Sequence, residues 1–193
     1  MPILLRWIRI NLDNNKFKSV NLYFQDEARF GLMTHIGRYL ASKGTKPIVK
    51  YTHNFKNTYL YGSYSPIDGD AFVYELEYTN SEVFQEYLLK LAEHRPEQYK
   101  IVVIDNAGFH STKNFKIPEN IFLYRIPPYA PELNPCEQVW AYIKERFKNN
   151  CFKNLKQVKN WLHQIVNDMS NDLIKSIVGN HHCLNNFHAT FNN

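Results

Sequence analysis

Cysteine is scarce in this 193-residue chain, and its count is odd: Cys136, Cys151 and Cys183 are the whole complement. Three thiols at wide spacings fit neither a disulfide framework nor a zinc ribbon, and they suit a reducing cytosol. Long apolar runs are missing as well. No stretch approaches the roughly 18 apolar residues of a membrane-crossing helix. Met1 to Ile10 holds two arginines and a short apolar run without a small-residue cleavage site, so neither secretion nor a membrane is expected. Internal repeats and low-complexity linkers are absent too.

What is present is a core-forming composition, 44% hydrophobic and 15% aromatic, in a chain long enough for one domain. The formal charge is only +5, with a sequence pI near 9.0, but it is unevenly placed. Lys144, Arg146, Lys148, Lys153, Lys156 and Lys159 crowd one window opposed by Glu145 alone. Such a stretch suits a phosphate backbone, and equally a solvated helix face.

The periodicity changes along the chain. In VNLYFQD (20–26), Val20, Leu22, Phe24 and Asp26 alternate with Asn21, Tyr23 and Gln25, which predicts a strand whose apolar face ends in an acid. Further strands are expected at IVKYT (48–52), TYLYGSY (58–64) and AFVYELE (71–77), the last two joined by the turn-forming segment 65–70. Phe84, Tyr87, Leu88 and Leu91 then share one helical face behind an Asn80 or Ser81 cap, with Pro96 beyond. The unbroken Ile101–Ile104 run predicts a central strand buried on both faces and closed by Asp105. IFLYRIP (121–127) is another strand, stopped by Pro127-Pro128. Cys136, Trp140, Ile143 and Phe147 make the stripe of a helix, and a last helical region carries Leu155, Val158, Leu162, Ile165, Val166, Met169 and Leu173. This order describes an α/β layered domain with a mixed sheet.

Three acids fall at expected element ends: Asp26, Asp105 and Glu137. In open sheets, sites form at the carboxyl ends of strands. If the strands of Asp26 and Asp105 are parallel neighbours, their carboxylates lie side by side. A third acid brought against that edge makes a cluster that repels itself unless a hard cation fills it. Each acid also has a plainer reading. Asp26 and Asp105 serve equally as turn or cap residues. Asn134, Pro135 and Glu137 have the N-cap, first-turn and third-position spacing of a capping box, so Glu137 is either a cap or a chemical group.

Four motifs in this order, YFQDEARFG (23–31), GRYLASKGTKP (37–47), VVIDNAGFH (102–110) and PPYAPELNPCEQVW (127–140), resemble the catalytic domain of the IS630/Tc1/mariner superfamily of DDE transposases, the IS630 type above all. Glu137 follows Asp105 by 32 positions. The resemblance runs from about Asn21 to Phe147, and Tyr39-Leu40 stand where relatives often carry a tryptophan. It implies a ribonuclease H-like fold, a five-stranded mixed sheet flanked by helices. It also implies an Asp26–Asp105–Glu137 triad holding two Mg²⁺ or Mn²⁺ ions, with Asp26 bridging. By the family motif, Asn106 and His110 stand beside the metal, orienting phosphate or water or serving structure alone. Glu27 is expected on the opposite face of its strand, and Pro128, Tyr129, Pro131 and Asn134 shape the loop delivering Glu137.

The implied activity is phosphodiester hydrolysis at transposon ends followed by strand transfer, with Lys144 to Lys159 on DNA phosphates. The implied partners are double-stranded DNA, as terminal inverted repeats and target, and a second copy in a homodimer. The domain reading is a leader (1–19), a catalytic domain (20–150) and a helical extension (151–193). About 20 residues ahead of the first strand are too few for the helix-turn-helix domain of relatives, so a separately encoded portion or a truncation is expected. The expected location is cytoplasmic, with the nucleoid. Alternatives are a ribonuclease H-like nuclease and a non-catalytic DNA-binding remnant. His181, His182, Cys183 and His188 are not read as a zinc site, because adjacent histidines point apart and no second cysteine pair lies near.

Overall fold

The computed structural model describes residues 2–12, 16–38, 40–110, 115–128, 130, 133–179 and 181–191. Tyr39, Tyr129 and Pro131, and the side chains of His181, His182 and Cys183, lie outside the described residues.

Helix α1 (Pro2–Asn11) precedes the long strand β1 (Ser19–Gly31), and β2 (Asn57–Tyr64) and β3 (Ala71–Leu76) follow. Helix α2 (Ser81–Glu93) leads to β4 (Gln98–Ile104) and β5 (Ile121–Arg125), and then come α3 (Cys136–Phe147), α4 (Leu155–Asn167), α5 (Asn171–Val178) and α6 (His181–Phe191). The sheet order is β3-β2-β1-β4-β5. β1, β2 and β3 pair antiparallel, while β4 runs parallel to both β1 and β5. This is the mixed five-stranded sheet, flanked by helices, expected from the sequence.

The pleat of β1 sorts its side chains between two cores. Leu22, Phe24, Ala28 and Phe30 pack with Trp140, Ile143, Val158, Leu162 and Ile174 on one side. Tyr23 packs with Tyr61, Phe84, Tyr87 and Leu88 on the other. The apolar stripe of α2 is the one its spacing predicts, and Asn80 caps it by accepting from the Val83 N–H at 2.8 Å. Leu5 and Ile8 of α1 and Phe187 of α6 join the α3–α4 core, so the first and last helices close over the same layer.

Three expectations change. Asp26 does not close β1. Pairing with β2 carries the strand on to Gly31 opposite Asn57, and only the parallel partner β4 stops at Ile104. Residues 48–52 form no strand and add nothing to the sheet, whose five strands lie elsewhere in the chain. Ile48 is fully exposed there, and Thr34 and Thr52 make an isolated backbone hydrogen bond at 3.1 Å. The last helical region is interrupted after Asn167, where Ser170 turns to cap α5 by accepting from the Leu173 N–H at 3.2 Å.

Candidate active site

The register of β1 against β4 pairs Phe24 with Val103. Continued by two residues, that register brings Asp26 toward Asp105, just past the end of β4, and the charge of Asp105 acts on Asp26. Parallel pairing, the condition for the expected juxtaposition, is met. Asp26 points to the α3 side of the sheet. There its Oδ2 accepts the Trp140 indole N–H at 3.0 Å. Burial, with Glu27 and Asp105 adding like charge, pushes its carboxyl up to about 7.

Trp140 can lie across the strand because Gly62, the cross-strand partner of Asp26, has no side chain. A Cβ there would meet Tyr64 at 2.6 Å and the Trp140 ring at 2.8 Å. Tyr64 and Trp140 meet edge to face, with ring centroids 5.6 Å apart.

The start of α3 is tied to β1 at three consecutive residues. The Cys136 thiol donates to the Phe24 carbonyl at 2.9 Å, the Asn134 amide to the Gln25 carbonyl at 2.9 Å, and Trp140 reaches Asp26. Asn134 Oδ1 also accepts from the Cys136 N–H at 3.2 Å, and Pro135 has the helical φ of −67° suited to a first turn. The expected capping box is not made: the cap position is Pro135 without a side-chain bond, the Glu137 N–H goes to the Asn134 backbone carbonyl, and the Glu137 carboxylate is exposed and makes no hydrogen bond or ion pair among the described residues. Glu137 is free for another role, on a helix start fixed beside Asp26.

Asp105 is held from the other face. His110 Nδ1 lies 2.9 Å from Asp105 Oδ1, and its Nε2 lies 3.0 Å from Glu27 Oε1. The Ala107 N–H adds a 2.8 Å bond to the same Oδ1, leaving Oδ2 without a hydrogen-bond partner among the described residues. The two carboxylates outweigh burial and raise His110 to about 9, while His110 holds Asp105 below the usual carboxylate range. Glu27 faces away from Asp26, as its place in the strand requires. Asn106 instead donates to the Ile126 carbonyl and ties the ends of β4 and β5 together. Arg125 at the end of β5 donates to the His110 carbonyl and so clamps the turn after Asp105. Sequence reading missed the Trp140, Arg125 and Gly62 roles. The tryptophan three residues after Glu137 was the one available signal, and it reads as core.

The basic window divides. Lys159 pairs with Glu75 at 2.5 Å, and Arg146 stacks on Tyr142 at 3.5 Å. Lys153 and Lys156 are exposed near and on α4. Lys144 and Lys148 instead line a cleft with Arg29, His35 and Lys56. Among the described residues no acid lines this cleft, which opens three residues past Asp26 along β1.

The donor set fits a hard divalent ion. All three groups are carboxylates, one of them buried among like charges that a cation would relieve. As placed, no three His, Cys, Asp or Glu side chains among the described residues stand close enough to hold an ion.

A strand order of 3-2-1-4-5, with one aspartate on a strand of its parallel pair, another just past the end of the partner strand and a glutamate on a helix pinned alongside, defines the ribonuclease H-like class of nuclease folds. A family model described as DDE superfamily endonuclease matches residues 21–159. The chain belongs to that family. It is 33% identical over 93 residues, 48% of this chain and 69% of the relative, to the uncharacterized protein y4pE/y4sA of Sinorhizobium fredii. Among solved structures it resembles a pre-cleavage Mos1 transpososome, with TM-score 0.66, 17% identity, and coverage of 97% of this chain and 58% of that one. It also resembles the Mos1 mariner paired-end complex with Mg, with TM-score 0.64, 18% identity, and coverage of 96% and 57%. A counterpart of that complex was solved with Mn. At such identities the likeness is one of fold. The chain spans a little over half the length of the Mos1 chains it matches.

Proposed function

We propose that this chain is the catalytic part of an IS630/Tc1/mariner-type DNA transposase, cutting a phosphodiester at a transposon end and transferring the freed 3′-hydroxyl to target DNA. The observation that carries the reading is the parallel pairing of β1 with β4, which leads to Asp26 and Asp105, with the Glu137 helix tied to β1 at Phe24, Gln25 and Asp26. Membership of the DDE superfamily endonucleases supports it.

Asp26, Asp105 and Glu137 would hold two Mg²⁺ or Mn²⁺ ions, which supply an activated water and a counter-charge for the leaving oxygen. The chain's own part is alignment. Trp140 fixes the Asp26 carboxylate, His110 and the Ala107 N–H fix one oxygen of Asp105 and leave the other available, and Glu137 presents its carboxylate from a rigid helix start. The two held aspartates fix the directions from which an in-line attack would be supported, while Glu137 is fixed at its backbone alone. Residues 20–150 form the catalytic unit in this reading. The cleft of Arg29, His35, Lys56, Lys144 and Lys148 carries duplex phosphates past the site. End recognition falls to a helix-turn-helix portion outside these residues, and two copies hold two DNA ends.

The test is cleavage of a terminal-repeat duplex with Mg²⁺ or Mn²⁺, beside an RNA–DNA hybrid. Duplex cleavage lost in Asp105→Ala supports the reading, whereas cleavage surviving that substitution overturns the triad. Preference for the hybrid replaces it with a ribonuclease H-like activity.

A further inference from the structure

We infer that Glu27 is a positioning residue for Asp105, acting through His110 from the far side of the sheet. The inference rests on the reading of Asp105 as a metal-binding carboxylate. His110 is 1% exposed and packs against Phe84, with ring centroids 4.4 Å apart and the planes tilted by 42°, so the α2 core limits its ring. Both ring nitrogens end on carboxylate oxygens, Nε2 on Glu27 at 3.0 Å and Nδ1 on Asp105 at 2.9 Å. Nδ1 also lies 3.4 Å from the Asp105 carbonyl, but its shorter contact is the carboxylate, so an acid of β1 and the acid just past β4 converge on one ring.

The two acids differ in what else can reach them. The Glu27 side chain is 9% exposed and accepts the Gln25 amide at 2.8 Å on the same Oε1 that meets His110. Asp105 is 46% exposed, with Oδ2 unengaged. Glu27 is therefore enclosed while Asp105 faces outward, and the alternation of β1 puts Glu27 opposite Asp26. Glu27 anchors Nε2, the anchored ring holds Nδ1 against Asp105 Oδ1, and the second Asp105 oxygen is left unengaged among the described residues. This is the arrangement in which an outer partner orients a metal-binding group without touching the metal.

The measurement is binding of Mn²⁺ alone, followed by loss of its free-ion paramagnetic resonance signal, together with the Mn²⁺ dependence of duplex cleavage. Glu27→Ala should weaken Mn²⁺ binding about tenfold. It should raise the Mn²⁺ level needed for half-maximal cleavage equally and leave the rate at saturating Mn²⁺ within about threefold. Glu27→Gln, whose amide oxygen still accepts from Nε2, should restore most of the affinity. In a His110→Ala background, Glu27→Ala should add nothing further. Glu27→Leu fills the same buried volume without an acceptor and replaces Glu27→Ala if the latter loses its circular dichroism.

Wild-type Mn²⁺ affinity in Glu27→Ala overturns the inference, as do effects of Glu27→Ala and His110→Ala that multiply. If Asp105→Ala abolishes Mn²⁺ binding while Glu27→Ala is silent, this inference alone fails. If Asp105→Ala binds Mn²⁺ as wild type does, the triad reading fails with it.

Discussion

The Trp140 indole N–H reaches from α3 to Asp26 Oδ2 at 3.0 Å, making a single helix side chain the support of the most perturbed carboxylate in the site. Trp140→Phe keeps the ring packing and removes the donor. It should cost about 1–2 kcal/mol of stability. It should also push the Asp26 carboxyl further up, since this bond lowers it. Carboxyl NMR titration of the metal-free protein checks the shift, and an unchanged midpoint means that the bond is not made in solution.

Gly62→Ala places a methyl group against Tyr64 and Trp140, where approaches of 2.6 to 2.8 Å leave no room. Both rings are buried, so relief requires moving one of them. A loss of about 1–3 kcal/mol in denaturant unfolding is expected. Trp140 fluorescence should shift with it.

Glu137→Gln should leave stability within about 0.5 kcal/mol, because the exposed carboxylate caps nothing. It should abolish duplex cleavage. Full activity in this variant would return Glu137 to the status of an ordinary surface residue.

Asp26 sets a pH dependence. Its folded carboxyl titrates at about 7, above the unfolded value of about 3.9. Between those values the folded state binds more protons, so the group's contribution to stability is full below the unfolded value and is lost as pH rises toward 7. In chelator, Asp26→Asn should therefore gain stability relative to wild type at pH 8, roughly 4 kcal/mol, and little at pH 4. Thermal unfolding at both pH values measures it. Equal differences at the two pH values would contradict the shift.

Arg29→Glu with Lys56→Glu reverses one wall of the acid-free cleft. Duplex binding should weaken, and its logarithmic salt slope should fall by about one for each phosphate that the altered wall no longer neutralises. Lys159→Glu should do less, since Lys159 already faces Glu75. A larger effect at Lys159 would move the DNA path to α4.

Asp105 was legible as a candidate because an unbroken apolar run ends on it, and Asp26 because alternation placed it on the apolar face. Their alignment was legible only as a condition, since parallel pairing is a long-range choice that period-two patterning does not encode. Residues 48–52 misled because β-rich composition marks a segment able to pair, while whether it finds a strand to pair with is a long-range outcome that local composition does not encode. Trp140 and Gly62 stayed hidden for a related reason. A buried tryptophan and a strand glycine look alike in sequence whether they pack or hold a carboxylate, and the difference appears only when the strand of one lies under the ring of the other.

Asp26 and Glu27 are chain neighbours, yet the sheet stands between them. β1 thus works as a wall with a working side and a service side, and only the working side meets DNA in the proposed reaction. The phase of a single strand decides which acid is on which side. Deleting one residue from the start of β1 would leave composition, charge and motif intact but put Glu27 under Trp140 and turn Asp26 toward the helix behind. Equally, a change in α2 beneath His110 could retune the chemistry from a surface that no substrate touches.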